Sequence, residues 1–277
     1  MLKKTRKKLI AFGLSVGITA LLILWILWGN TALELNTYRV TGENLPKAFD
    51  GFRIAQVSDL HNAEMGEDNE DLLAMLQEAA PDIVVITGDL IDSNNTDMDV
   101  ALAFAENALK IAPCYYVTGN HEAWAGEYDN LKKGLTDLGV TVLENEKTEL
   151  LRDGERITLV GVNDPSFGDE TMSATLEQLI GNKDGYTVLL SHRPELFDTY
   201  VESSADLVFS GHAHGGQFRI PFVGGAVAPN QGLFPEYDEG IYTEGGTHMV
   251  VSRGIGNSII PFRVNNRPEV VLIELSA

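Results

Sequence analysis

The chain has 277 residues, 44% of them hydrophobic and 22% charged, enough for one substantial core and one catalytic domain. Its 40 acidic and 20 basic residues leave a net charge of −20, and five of the bases (Lys3, Lys4, Arg6, Lys7, Lys8) stand in the first 30 residues, which hold no acid. The remaining body, with 15 bases against 40 acids, repels polyanions and excludes a general nucleic-acid binder.

Residues 1–8 form a basic segment, and Leu9 to Trp28 is a run of 20 residues without a charge. At about 1.5 Å per residue, a helix of that length crosses a hydrocarbon core of about 30 Å. The basic cluster favours a cytoplasmic amino end, and Trp25 and Trp28 fall where aromatic rings favour the far interface. A cleaved signal peptide is the competing reading, but its apolar region runs to only about 7–15 residues and ends in a small-x-small site. Here the run ends in tryptophans, Thr31-Ala32 is a poor cleavage site, and there is no twin arginine. The expectation is a single-pass signal anchor at 9–28 in the cell membrane, a linker and entry segment at 29–50, and an extracytoplasmic catalytic domain at 51–277.

Periodicity in the body alternates between strand and helix. Arg53 to Ser58 reads as a first strand that ends directly before Asp59 and His61. Leu72, Leu73, Leu76, Ala79 and Ala80 share a helical face behind an acidic start at Glu67 and Asp68. Ile83 to Ile86 is a buried strand closed by Thr87-Gly88-Asp89, Asp97 to Lys110 a helix, Tyr115 to Val117 a strand, and Tyr128 to Leu138 a helix ended by Gly139. The single cysteine, Cys114, precedes that short strand as a small core residue; alone, it excludes an internal disulfide and a cysteine-based zinc site. Strand-like runs follow near 140–151, 156–162, 186–190, 206–210, 217–222, 247–252 and 269–275, with a helix near 172–180. Strands outnumber helices there, which predicts an α/β fold of two packed sheets with helices outside.

Five of the six histidines stand in an ordered series: Asp59-Leu60-His61, Gly88-Asp89, Gly119-Asn120-His121-Glu122, Ser191-His192 and Gly211-His212-Ala213-His214-Gly215-Gly216. Taken alone, Asp-x-His or Gly-Asp describes an ordinary turn or cap. Gly-Asn-His-Glu and Gly-His-x-His-Gly-Gly are far more restrictive, and all five in order point to a two-metal hydrolytic site. Asp59, Asp89, Asn120, His192 and His212 each follow a strand at its carboxyl end, the edge where ligands collect in open α/β sheets. Mixed nitrogen and carboxylate donors suit manganese, iron or zinc better than calcium, and Asp89 is placed to bridge two ions. His248 lies outside the series and is expected to be structural. Asp92 is either a partner of a metal ligand or a turn cap, and Arg253 pairs either with a substrate phosphate or with an acidic neighbour.

These motifs resemble those of the calcineurin-like metallophosphoesterases. Beyond them, Ala228-Pro229-Asn230-Gln231-Gly232-Leu233-Phe234-Pro235 and Ser252-Arg253-Gly254-Ile255-Gly256-Asn257-Ser258 look like the bacterial membrane-associated branch typified by YkuE and YaeI. The resemblance implies a four-layer α/β/β/α sandwich with a dinuclear site at its strand ends. It places Asp59, His61, Asp89 and His214 on a first ion and Asp89, Asn120, His192 and His212 on a second, with His121 unligated and facing the leaving group. Many members carry aspartate where this chain has Glu122, whose carboxylate is still expected to orient His121. The implied activity is hydrolysis of a phosphate mono- or diester by metal-activated hydroxide, here on an envelope or lipid-linked phosphate, with specificity in the loop Gln217–Tyr237. Cleavage of a nucleotide-linked lipid pyrophosphate of the UDP-diacylglucosamine type is the alternative enzyme reading, and a non-catalytic membrane scaffold the alternative of another class.

Overall fold

The computed structural model describes residues 2–168 and 170–277. In chain order the helices and strands are α1 (Leu2–Thr31), β1 (Glu34–Thr41), β2 (Arg53–Val57), α2 (Glu70–Ala79), β3 (Ile83–Thr87), α3 (Met98–Leu109), β4 (Cys114–Val117), α4 (Asn120–Ala125), α5 (Tyr128–Leu138), β5 (Thr141–Val142), β6 (Glu146–Arg152) and β7 (Glu155–Gly161). They continue with α6 (Met172–Ile180), β8 (Thr187–Leu190), α7 (Phe197–Glu202), β9 (Leu207–Ser210), the two-residue strands β10 (Arg219–Ile220), β11 (Gly224–Gly225), β12 (Val227–Ala228) and β13 (Gly232–Leu233), then β14 (Gly240–Glu244), β15 (Thr247–Val251) and β16 (Glu269–Ser276).

Two six-stranded mixed sheets result, ordered β1-β16-β2-β3-β4-β5 and β14-β15-β9-β8-β7-β6. The alternation of side chains along each strand decides how they stack. Ile54, Val85, Val271, Val188, Leu190, Phe209 and Val250 point into a shared core between the sheets. Their neighbours Ala55, Val84, Ile86 and Leu272 face outward under α2, α3 and α5, while Leu189, Val208, Met249 and Val251 face outward under α6 and α7. Strands apolar on both faces therefore give a four-layer α/β/β/α sandwich, as expected. Gln56 is the polar exception between the sheets: its amide donates to Thr87 Oγ1 and to Ser210 O, both at 2.8 Å, and so ties the first sheet to the end of a strand in the second.

Within the entry segment 29–50, β1 pairs in parallel with β16 over eight residue pairs and completes the edge of the first sheet. Two strand expectations are corrected. The strand expected over 140–151 is divided between the sheets: β5 joins β4, the chain crosses over, and β6 joins β7. The run near 217–222 forms only the short ladder of β10 with β11. α1 is the one helix among the described residues long and apolar enough to cross a membrane, and its side chains are exposed from Lys4 to Trp25.

Candidate metal centre

The loops that leave β2, β3, β4, β8 and β9 converge at the carboxyl edge of both sheets, and they bring together all eight residues singled out in the sequence. Asp59, His61 and His214 form one group of buried ligand atoms, and Asp89, His192 and His212 a second; within each, the atoms lie within 4.8 Å of one another. Nε2 of His61 stands 3.3 Å from Nε2 of His214, and Oδ1 of Asp59 is 3.4 Å from His214 Nε2 and 3.9 Å from His61 Nε2. Donors held by one first-row ion at about 2.0–2.2 Å stand roughly 3–3.5 Å apart, so this spacing is that of ligands converging on a point.

Asp89 joins the two groups through a single oxygen. Its Oδ2 is 3.6 Å from His61 Nε2 and 3.2 Å from His192 Nε2, while its Oδ1 accepts the backbone N–H of His121 at 2.8 Å. Beside the second group the side-chain oxygen of Asn120 is buried and has no hydrogen-bond partner. An amide oxygen left bare in this way costs about 1–3 kcal/mol, and a cation would satisfy it. The donor set is nitrogen, carboxylate and amide oxygen, which fits two first-row divalent ions.

The loop backbone is strained where it presents these groups. Asp59, His61, Asp89, His212 and His214 all have φ between 48° and 62°, a left-handed conformation uncommon for residues with a Cβ and frequent at functional sites. The approach is close as well: a Cβ on Gly119 would lie 2.2 Å from Asp89 Oδ1, and one on Gly211 would lie 1.9 Å from Ser58 Oγ. Glycine is required there because two loops share one volume.

Burial sets the protonation of the cluster. It pulls His61 down to about 4 and holds His212 and His214 well below the usual histidine range, leaving neutral imidazoles. Burial likewise pushes Asp59 up to about 6. Burial opposes the charge on His192 too, but the Asp89 carboxylate beside it prevails and raises it to about 10; in return His192 holds Asp89 well below the carboxylate range despite its burial. Nδ1 of His192 donates to Thr87 O at 2.8 Å, which aims Nε2 at Asp89. A cation at that point takes the place of a proton.

His121 faces the same space from the start of α4. Its Nδ1 accepts from the backbone N–H of Ser93 at 3.0 Å, and its Nε2 lies 3.0 Å from Ser258 Oγ. Glu122 does not orient it. That carboxylate is fully buried and accepts four backbone N–H groups: those of Leu90 and Ile91 on Oε1 at 2.8 and 3.2 Å, and those of Asp89 and Gly119 on Oε2 at 2.9 and 2.7 Å. It ties the Asp89 loop to the start of α4 instead. Asp92 is a turn cap, accepting the N–H groups of Asn94 and Asn95, while its Oδ2 stands 3.7 Å from His61 Nδ1 and 3.8 Å from His121 Nδ1, beyond hydrogen-bond reach of either.

Arg253 is resolved in favour of acidic neighbours: it pairs with Glu34 at 2.8 Å, Glu269 at 2.9 Å and Glu239 at 3.2 Å. The His248 ring pairs with Thr243 Oγ1 at 2.8 Å on the strand pair β14–β15, apart from the cluster, and Cys114 is buried with its thiol pushed up to about 12. Sequence reasoning missed Arg193. Buried beside His192, it forks onto both oxygens of Asp164 at 2.5 and 2.9 Å and sets Nη1 3.0 Å from His212 Nε2. Its place directly after a motif histidine is the only local signal, since Asp164 is remote in sequence.

A four-layer sandwich carrying histidine–carboxylate clusters on five loops at its strand ends defines a metal-dependent hydrolase. The chain belongs to the calcineurin-like phosphoesterase family, whose model matches residues 52–216. It is 32% identical over 252 residues to the uncharacterized metallophosphoesterase YkuE of Bacillus subtilis, covering 88% of this chain and 86% of that one. It is 30% identical over 236 residues to the phosphodiesterase YaeI of Escherichia coli, covering 81% and 82%. Among solved structures, the NAD nucleotidase NadN of Haemophilus influenzae shares the fold at 14% identity with a TM-score of 0.51, over 74% of this chain and 45% of that one.

Proposed function

We propose that this protein is a membrane-anchored dinuclear phosphoesterase that hydrolyses a phosphate mono- or diester, with a lipid-linked phosphate of the cell envelope as the favoured class. The observation that carries the reading is Asp89, whose single free oxygen faces His61 of one cluster and His192 of the other. Asp59, His61, Asp89 and His214 would hold the first ion, and Asp89, Asn120, His192 and His212 the second. Manganese is the first choice of metal, with iron and zinc as alternatives. When bound, the two ions supply positive charge for the phosphoryl oxygens and acidify a water for attack on phosphorus.

The chain's own residues do the rest. Because Nδ1 of His121 is occupied as an acceptor by the backbone N–H of Ser93, Nε2, 3.0 Å from Ser258 Oγ, is the nitrogen left to carry a proton toward the substrate. Nε2–H is then the donor to the leaving oxygen. Arg193, locked by Asp164, sets Nη1 3.0 Å from His212 Nε2 and so fixes the orientation of that ring beside the centre. The helix Lys4–Thr31 supplies the anchor, and the basic residues before its uncharged run Leu9–Trp28 support an extracytoplasmic domain.

Full-length protein in detergent with manganese is expected to cleave nitrophenyl phosphate esters, and Asp89→Asn to abolish turnover. Equal rates for the two proteins would remove the bridging role of Asp89. A reporter fused after Ala277 that is active only in the cytoplasm would reverse the sidedness.

A further inference from the structure

The carboxyl end of the anchor helix is fastened to the loop that borders the metal centre. Asn30 donates to Arg263 O at 2.9 Å and accepts from Arg263 N at 2.7 Å. Arg267 stacks its guanidinium 5.1 Å over the Trp28 ring and donates through Nε to Ala32 O at 2.8 Å. The loop 253–267 is therefore level with the last turns of α1. If Leu9 to Trp28 crosses the hydrocarbon, that level is the headgroup layer.

The apolar surface of the body gathers at the same place. Among the described residues, ten large apolar side chains are exposed beyond the helix, and seven of them lie in 220–234 and 259–262. Ile259 is 80% exposed, and the β10–β11 turn carries Phe222, fully exposed and in the left-handed region at φ 67°. That turn is stitched to the anchored loop, since Arg219 N donates to Val264 O at 2.9 Å and the Phe218 and Phe262 rings lie 5.4 Å apart. The same loop touches His121 through Ser258. A body this acidic is repelled by anionic lipid and by its own copies, so apolar contact has to supply the attraction.

We infer that the turn at Phe222–Val223 and the segment Ile259–Phe262 form a second bilayer contact that lays the mouth of the metal centre on the headgroup layer. The substrate class this implies is a phosphoester whose own lipid part stays in the membrane during hydrolysis. The inference rests on the anchored phosphoesterase reading above. It explains why a bulky residue occupies a strained, uncovered turn tip.

The test uses full-length protein in phosphatidylcholine–phosphatidylglycerol vesicles containing lipid spin-labelled near the headgroup end of its acyl chain. Fluorophores are attached at Phe222→Cys, Ile259→Cys and, as an exposed apolar control on β6, Leu151→Cys. Side chains inserted to about 5–10 Å should be quenched at least about threefold more strongly than the control. Equal quenching at the three positions overturns the inference, as does cross-linking of the F222C protein to a second copy without quenching. In a second arm, the double variant F222S/I259S should cleave soluble nitrophenyl phosphate as the parent does. On a long-chain alkyl nitrophenyl phosphodiester dispersed in the vesicles, its rate should fall about tenfold, because the mouth no longer sits in register with the ester. An equal rate on both esters overturns the surface. No turnover by the parent on either ester would instead sink the enzymatic reading, and the quenching would still decide the membrane contact.

Discussion

Gly211→Ala measures how tightly the second sheet's loop is pressed against Asp59, the first of the proposed ligands. Gly211 needs no left-handed backbone, so the effect of the added methyl is purely steric. Its Cβ would lie 2.3 Å from Asp59 Oδ2 and 1.9 Å from Ser58 Oγ. Relaxing to ordinary contact moves the carboxylate oxygen by about 1 Å, and a displacement of that size is incompatible with a metal–oxygen bond of about 2.0–2.2 Å. Asp59 also accepts the His212 N–H on both oxygens, each at 3.1 Å, so the shift strains the loop of a second ligand.

Overpacking of this kind costs about 1–3 kcal/mol, and disturbing the surroundings of a ligand weakens metal binding about 10–100-fold. The assay is thermal unfolding with chelator present, paired with a manganese titration by calorimetry. The double variant S58A/G211A separates the parts: compared with S58A alone it should show a smaller stability loss than G211A shows against the parent, while metal affinity stays low, because the Asp59 contact remains. Parental affinity in G211A, with a stability change under about 0.5 kcal/mol, would refute the packing argument.

His121→Asn should slow hydrolysis of an alkyl phosphate by about 10²–10⁴ but affect nitrophenyl phosphate far less, since nitrophenolate leaves without a proton; equal losses on the two esters would remove the leaving-group role. Manganese at about 100 times its Kd should stabilise the protein by about 2.7 kcal/mol, because only the folded chain gathers the ligands that bind it, and an unchanged Tm would contradict this. Metal affinity should also rise with pH. His192 is raised to about 10 in the metal-free protein and so carries a proton at neutral pH that must leave when an ion binds. The expected slope is about tenfold per unit between roughly pH 7 and 9, and competition titrations giving a pH-independent Kd would reject that account.

Much of the site is legible in the chain because it is built from short contiguous motifs. A strand end followed at once by Asp59-Leu60-His61 or by His212-Ala213-His214 carries both its geometry and its chemistry within a few residues. Convergence was legible for the same reason, since parallel strands put their carboxyl ends on one edge and the ligands follow those ends. The first strand was missed because Glu34–Thr41 alternates weakly, and its pairing partner β16 lies at the other end of the chain.

Local sequence and tertiary structure thus determined different things. Hydrophobic period and length, which are properties of neighbouring residues, suffice for the apolar helix, the buried strands of a layered sandwich and the ligand-bearing loops. The choice among partners for one charged side chain is not local. Glu122 lies next to His121 in sequence yet turns its carboxylate to the Asp89 loop, and Arg253 is claimed by Glu34, Glu239 and Glu269 from three other segments. A buried charge goes wherever the fold places enough donors or countercharge to replace its lost water. Only the assembled structure holds those distances, and only it brings Asn30 at the end of the helix against Arg263 at the edge of the metal centre.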